Sequence, residues 1–122
     1  MTEFQYQWLD TELETGIKLS GNLSKDTSDI LWQQRYEILK RCQYPQAAPF
    51  VFNLQDLTQI DSAGLATILA LSRFMGENTQ NLLSKFTLTH PPHQLVKLAD
   101  ANNVMSMLNL LHLKSEDKVK NT

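Results

Sequence analysis

The segment Asp61-Ser62-Ala63-Gly64-Leu65-Ala66 joins an apolar run to a helical pattern, and so restricts the folds open to this chain. The run from Phe50 to Leu54 is apolar except for Asn53, as expected of a central strand covered on both faces. Apolar residues then recur at helical spacing from Leu65 to Met75. The sequence therefore predicts a strand, a short loop and a helix in that order, which is typical of an α/β domain.

The start of that helix is a candidate functional site. Asp61 suits the N-cap position, because its carboxylate can accept the free backbone N–H of Ala63 or Gly64. Ser62 would then be the first helical residue and point outward, and Gly64 would leave room for a partner. A phosphate on Ser62 would lie where the helix dipole favours an anion. For an arbitrary Asp-Ser pair, however, capping alone is the commoner explanation.

Two strands and a long helix are predicted before this site. Alternation of apolar and polar residues in Phe4 to Trp8 and again in Ile17 to Leu19 predicts a hairpin of two strands. The capping residues of Asp26 to Asp29 precede a helical pattern that continues to about Cys42. The core stripe predicted for this helix consists of Ile30, Leu31, Ile38 and Leu39.

For two helix surfaces, the sequence allows either packing in the core or contact with a partner. Trp32 and Tyr36 are four residues apart and lie on one flank of the first helix. We expect Tyr36 to belong to the core, whereas Trp32 fits either the core or an interface. The small residues of the second helix can admit a partner helix or pack against this domain's own helices, and periodicity does not distinguish the two. These residues are Ala63, Ala66 and Ala70, joined by Thr67.

The second half of the chain continues the alternation of strands and helices. The helix from Ser62 is expected to end near Gly76, followed by a strand over 86–89 and a helix over 94–101. The range 104–113 is ambiguous between a short helix and a terminal strand. Residues 114–122 are charged and predicted to form a mobile tail, so the domain is expected to span 1–113. The element order implies a mixed sheet with helices packed on it, beginning with an N-terminal β-hairpin.

Composition narrows the class of protein. A chain of 122 residues suits one domain, and a net charge of −2 gives no basic field for nucleic acid. A lone cysteine, Cys42, excludes an internal disulfide and fits a reducing compartment. No apolar stretch is long enough to span a bilayer, and no signal peptide is evident at the start. We therefore expect a cytoplasmic protein whose membrane contact comes only through a partner.

The sequence gives no support for catalysis, a cofactor or a metal. A Gly-x-x-x-x-Gly-Lys-Ser/Thr phosphate-binding loop is absent from the sequence, and no Ser/His/Asp set can be proposed from spacing. His90 and His93 lie close together, but two imidazoles are too few for an ordinary zinc site. We expect them to be loop histidines.

The segment Asp61 to Leu65 resembles the Asp-Ser/Thr-x-Gly-Leu signature of STAS domains, the fold of anti-sigma-factor antagonists. Leu19 to Leu23 is similar to that family's Leu-x-Gly-Glu-Leu, with Asn22 and Ser24 where acids are usual. The resemblance implies a STAS fold whose Asp61 turn contacts a partner. The implied partner-binding residues are Asp61, Ser62, Ala63, Gly64, Ala66 and Thr67, with Ser62 as a possible phosphoacceptor.

A narrower resemblance includes Ile30-Leu31-Trp32, in which Trp32 is the most telling residue because an anti-sigma antagonist usually lacks it. It is to the STAS subunits of bacterial phospholipid ABC transporters that maintain outer-membrane lipid asymmetry. That resemblance implies a non-catalytic subunit that binds and activates or stabilises the cytoplasmic ATPase subunit. The alternative is an anti-sigma-factor antagonist regulated by phosphorylation of Ser62.

Overall fold

The protein contains four strands and four helices in the part of the chain that the structure describes. The computed structural model describes residues 3–11, 15–43, 50–78 and 86–104. In chain order the elements are β1 (Gln5–Asp10), β2 (Thr15–Leu23), α1 (Ser28–Trp32), α2 (Arg35–Gln43), β3 (Phe50–Ile60), α3 (Ser62–Asn78), β4 (Phe86–Thr89) and α4 (His93–Ala101).

The strands form one mixed sheet in the order β1-β2-β3-β4. The first two strands are antiparallel, with Gln5 opposite Ser20 and Asp10 opposite Thr15. The pairs β2–β3 and β3–β4 are parallel, and the chain crosses between them through helices. This confirms the predicted mixed α/β fold that begins with a β-hairpin. Because β2 and β3 are parallel neighbours, their carboxyl ends lie side by side at Leu23 and Ile60.

Strand β3 is longer than the sequence predicted. It was expected to end at Leu54 but continues to Ile60, paired with the second half of β2 through two register shifts. Leu57 and Ile60 are buried, whereas the polar side chains between Leu54 and Ile60 are exposed. Those polar residues were interpreted as a loop, although they are exposed residues within the strand. The result is that one residue, Asp61, separates β3 from α3.

The predicted helix from Asp26 to Cys42 is divided in two. Helix α1 ends at Trp32 and α2 begins at Arg35, with Gln33 and Gln34 forming a turn between them. The backbone N–H of Gln34 bonds the carbonyl of Leu31, a tighter turn than an α-helix makes. The carbonyl of Trp32 accepts a hydrogen bond from Arg35 Nη1 at 3.0 Å. The Arg35 side chain therefore supplies a donor to a carbonyl at the end of α1.

The core lies between the sheet and one face of α3, which also contacts α1, α2 and α4. On β2 the buried side chains are Ile17, Leu19 and Leu23, which alternate with partly exposed polar residues. On α3 the buried residues recur at helical spacing, and they include Leu65, Ile68, Leu71 and Met75. Since one face of α3 makes the core, its opposite face is turned toward solvent.

Two residues assigned to the core by the sequence lie at the surface. Leu31 and Ile38 are buried as predicted, and Leu39 is partly buried, but Ile30 is 40% exposed. Tyr36 is 62% exposed, so its assignment to the core was wrong. The division of the helix at Gln33 and Gln34 changes the direction of the chain between these residues. The single helical period assumed from the sequence therefore does not apply across it.

The remaining predicted helices and strands within the described residues are present in the structure, with bounds that differ by at most two residues. Helix α3 ends at Asn78, two residues beyond the predicted end, and β4 covers 86–89 as predicted. Helix α4 begins one residue earlier than predicted, at His93. The predictions for 105–113 and for the tail, 114–122, fall outside the described residues. None of the described helices combines the length and apolarity needed to cross a bilayer.

Candidate functional site

The Asp61 carboxylate connects the loop after β2 to the first turn of α3. Its Oδ1 accepts the backbone N–H of Gly64 at 2.9 Å, which confirms the predicted N-cap of α3. Its Oδ2 accepts the backbone N–H of Lys25 at 3.1 Å, in the loop after β2. The Asp61 N–H also donates to the carbonyl of Leu23 at 3.3 Å. Two hydrogen bonds from Asp61 therefore hold the start of α3 against the end of β2, and a third caps the helix itself.

Gly64 is buried, and its lack of a side chain serves the domain's own packing. A Cβ added there would overlap the carbonyl oxygen of Leu23 and would lie 2.8 Å from Cγ1 of Ile60. From the sequence, this glycine was expected to leave room for a partner. In the structure the backbone of β2 already occupies that space. Gly64 lets the first turn of α3 approach the sheet closely.

The other residues of the predicted site differ in their exposure to solvent. Ser62 and Ala66 are exposed on α3, and so is Ala70 one turn further on. Ala63 and Thr67 are half-buried, and Thr67 Oγ1 donates to the Ala63 carbonyl at 3.0 Å. The outer members of the small-residue stripe, Ala66 and Ala70, therefore face solvent and not this domain's own helices. The structure leaves a smooth apolar row open beside the Ser62 hydroxyl.

A cluster of aromatic rings around a guanidinium lies at the far end of this row, and sequence reasoning found only part of it. We call it the aromatic cluster; it consists of Trp32, Arg35, Tyr36 and Phe74. The Phe74 ring meets Trp32 at 6.1 Å between centroids and Tyr36 at 5.2 Å, both edge to face. The spacing of Trp32 and Tyr36 was a usable signal. The contribution of Phe74 was not visible, because it comes from a helix distant in sequence.

A depression of about 590 Å³, lined by polar residues, lies between the loop after β2 and the end of β3. Its lining includes Asn22, Ser24, Asp26, Thr27 and Thr58. Thr27 Oγ1 accepts the Ser24 N–H at 2.9 Å and donates to the Asn22 carbonyl at 2.6 Å. Thr58 Oγ1 donates to the carbonyl of Gly21 at 3.0 Å. These hydroxyls thus stabilise the loop after β2.

The histidine pair does not form part of this site. His90 and His93 are both exposed, at the end of β4 and the start of α4. Within residues 3–11, 15–43, 50–78 and 86–104, no group of three or more His, Cys, Asp or Glu residues is placed to hold a metal ion.

No family model matches the sequence. By structure, the chain resembles the unphosphorylated anti-sigma factor antagonist SpoIIAA, with a TM-score of 0.57 and 18% sequence identity. The match covers 96% of this chain and 92% of that one. A four-stranded mixed sheet that begins with an antiparallel hairpin and packs against helices, as found here, is a STAS fold.

Comparison by sequence shows which family of STAS-domain proteins the chain belongs to. Over 82 residues the chain is 42% identical to the intermembrane phospholipid transport system binding protein MlaB of Haemophilus influenzae. The aligned region covers 67% of this chain and 73% of that protein. The chain belongs to the MlaB family of STAS-domain proteins.

Proposed function

We propose that this chain is a regulatory subunit that binds the cytoplasmic ATPase subunit of a phospholipid ABC transporter, and activates or stabilises it. The family relationship supports this proposal, since the relative from Haemophilus influenzae is named as a binding protein of an intermembrane phospholipid transport system. The transporter would maintain the lipid asymmetry of the outer membrane. This chain would be cytoplasmic and reach the inner membrane only through its partner.

The observation that carries the proposal is the open face of α3. Ser62, Ala66 and Ala70 are exposed on a helix whose opposite face makes the core. Small side chains in a row allow another backbone to approach closely, and the Asp61 cap holds the start of the row in place. An exposed helix face of small side chains, fixed at its start by the cap, is suited to a protein partner.

The subunit would act without chemistry of its own. The sequence contains no Gly-x-x-x-x-Gly-Lys-Ser/Thr loop, so the phosphate-binding groups would belong to the partner. A bound subunit changes a conformational equilibrium only by as much as its affinity differs between the two states. Activation therefore requires that the α3 face bind the assembled ATPase more tightly than the inactive form.

The direct test is ATP turnover by the transporter complex with and without this chain. We expect the isolated chain to hydrolyse no ATP, and the complex containing it to turn over faster or to remain assembled longer. A complex of equal rate and equal stability in its absence would contradict the regulatory role.

The alternative is an anti-sigma-factor antagonist controlled by phosphorylation of Ser62. The exposure of Ser62 on the first turn of α3 makes its hydroxyl accessible to a kinase. The likeness to SpoIIAA concerns the fold alone, at 18% identity. Proteins that co-purify from native membranes separate the two functions: an ABC ATPase supports the proposal, and an anti-sigma kinase supports the alternative. Neighbouring genes for an ATPase and a permease, or for such a kinase, give the same separation.

A further inference from the structure

The Arg35 guanidinium is held among three aromatic rings. Its Cζ lies 4.6 Å from the centroid of the Trp32 ring and 4.8 Å from that of Tyr36. The Phe74 ring is 5.9 Å away, and Nη1 donates to the Trp32 carbonyl at 3.0 Å. Ring faces attract a cation without neutralising it, and a planar guanidinium stacked in this way loses little further freedom on binding. Arg35 is therefore a preorganised positive charge.

Arg35 forms no ion pair with a carboxylate among the described residues. The ion pairs there are Lys18 with Asp56 at 3.1 Å and Arg41 with Glu37 at 2.9 Å. A guanidinium carries five N–H donors, in a fork that matches a carboxylate. Arg35 uses one of these donors on the Trp32 carbonyl, which leaves others for a partner.

The surface around this cation is apolar and continuous with the α3 face. Tyr36, whose side chain is 62% exposed, packs beside Arg35 and against Phe74 of α3. Phe74 follows Ala70 by four residues, as Ala70 follows Ala66 and Ala66 follows Ser62. Residues at that spacing lie in one row along a helix. From Ser62 to Phe74 the row is about 18 Å long, at 1.5 Å per residue, which corresponds to about three helical turns.

We infer that this surface receives a helix of the partner ATPase subunit, oriented so that an Asp or Glu of that helix pairs with Arg35. The inference deepens the proposed function and rests on it. The small side chains of Ala66 and Ala70 allow the partner helix to lie close. The aromatic cluster supplies contact area at one end. The charge of Arg35, which pairs with no carboxylate among the described residues, sets which helix face and direction are accepted. An acid placed there would make forked hydrogen bonds in a partly desolvated site.

The test is the affinity of the ATPase subunit for charge variants of Arg35, measured over a range of salt concentrations. The variants are Arg35→Gln, Arg35→Glu and Arg35→Lys. The matched control is Lys97→Gln, which removes a positive charge from the exposed side of α4. We expect Arg35→Gln to weaken binding by about tenfold or more and Arg35→Glu by more than that, since truncating one partner of a hydrogen-bonded charge pair raises the dissociation rate. The salt dependence of binding should be smaller for Arg35→Gln than for the parent chain.

Arg35→Lys separates recognition from a purely structural role. It keeps the charge but loses the planar fork, so we expect intermediate affinity with the parent's salt dependence. Thermal melts of each variant show whether loss of stacking has disturbed the fold. If Arg35→Gln does not fold, the affinity and salt slope of Arg35→Lys decide the question in its place.

The possible results distinguish this inference from the proposed function. If Ser62→Glu abolishes binding but Arg35→Gln and Arg35→Glu bind like the parent, the Asp61 turn is at the interface and the inference about Arg35 is wrong. If Lys97→Gln weakens binding as much as Arg35→Gln, the effect is general electrostatics and the inference is again wrong. If the parent chain does not bind the ATPase subunit, the proposed function fails and the inference falls with it.

Discussion

The side-chain carboxylate of Asp61 accepts the backbone N–H of Lys25 at 3.1 Å, so the residue that caps α3 also holds the loop after β2. One residue thus joins the ends of two parallel strands to the start of the helix that carries the candidate site. A residue that looks from the sequence like an ordinary N-cap has a second structural role. A substitution of Asp61 therefore disturbs both the helix cap and the loop after β2.

Replacing Asp61 should destabilise the fold. Loss of an N-cap costs about 1 kcal/mol, and Asp61→Ala also leaves the Lys25 N–H without its acceptor. We expect a loss of about 1–3 kcal/mol in the free energy of unfolding on this basis, with Asp61→Asn milder because its amide oxygen can still accept one bond. Urea denaturation measures the difference.

The control for that substitution is Asp56→Ala. Asp56 forms an ion pair with Lys18 on the surface, where its side chain is 53% exposed. Exposed pairs contribute between about 0 and 1 kcal/mol, so this variant should lie close to the parent. If Asp56→Ala cost as much as Asp61→Ala, the second role assigned to Asp61 would be wrong.

For Gly64→Ala, helix propensity and packing predict changes of opposite sign in the free energy of unfolding. Propensity alone favours alanine inside a helix by about 1 kcal/mol. At this position the added Cβ would overlap the Leu23 carbonyl oxygen, which belongs to backbone and moves only if the strand moves. We therefore expect a net loss of about 1–3 kcal/mol, the range for overpacking.

The matched reverse change is Ala70→Gly on the exposed face of the same helix. It should cost about 1 kcal/mol through propensity alone. A Gly64→Ala variant that is more stable than the parent would mean that α3 does not approach β2 as closely as the structure has it. Melts of the two variants and the parent, run together, decide the matter.

The sequence predicted the elements that rest on local periodicity. The hairpin follows from alternation in β1 and β2, and the cap of α3 follows from Asp61 and the pattern after it. Both depend on residues adjacent in the chain. For the same reason the resemblance of Asp61 to Leu65 to the STAS signature was informative, since it too concerns a continuous segment.

What the sequence did not predict depends on distant contacts. Gln33 and Gln34 are good helix formers, so propensity gave no sign of the turn that the Arg35 side chain helps to complete. The second half of β3 is polar and becomes a strand because β2 is there to pair with it. Tyr36 was assigned to the core from helical spacing alone, and nothing in the sequence indicated that its exposed ring packs against Phe74 of α3.

The last residues of the chain are predicted to be dispensable for folding. The segment Ser115 to Lys118 carries no apolar side chain, and a segment that buries little cannot offset the entropy of ordering it. A chain ending at Lys114 should melt at the same temperature as the full chain. A large fall in melting temperature would show that these residues pack against the domain.

The affinity of the ATPase subunit for Ser62→Glu tests the account most directly. A carboxylate at the first position of α3 is compatible with the helix dipole, so the isolated domain should melt like the parent. In the complex the same charge would be buried without a partner, which costs several kcal/mol and corresponds to a loss of affinity of about a hundredfold or more. Ser62→Ala should cost about 1 kcal/mol, for one hydroxyl hydrogen bond. Lys97→Glu, an exposed control on α4, should leave the affinity unchanged.

The result predicted by this account is a Ser62→Glu chain that folds normally and binds the ATPase subunit at least about a hundredfold more weakly than the parent. If Ser62→Glu both unfolds and fails to bind, Ser62 is a structural residue and the turn has no demonstrated role in docking. If Ser62→Glu folds and binds the ATPase subunit as tightly as the parent, the Asp61 turn is not at the interface and the central claim is contradicted.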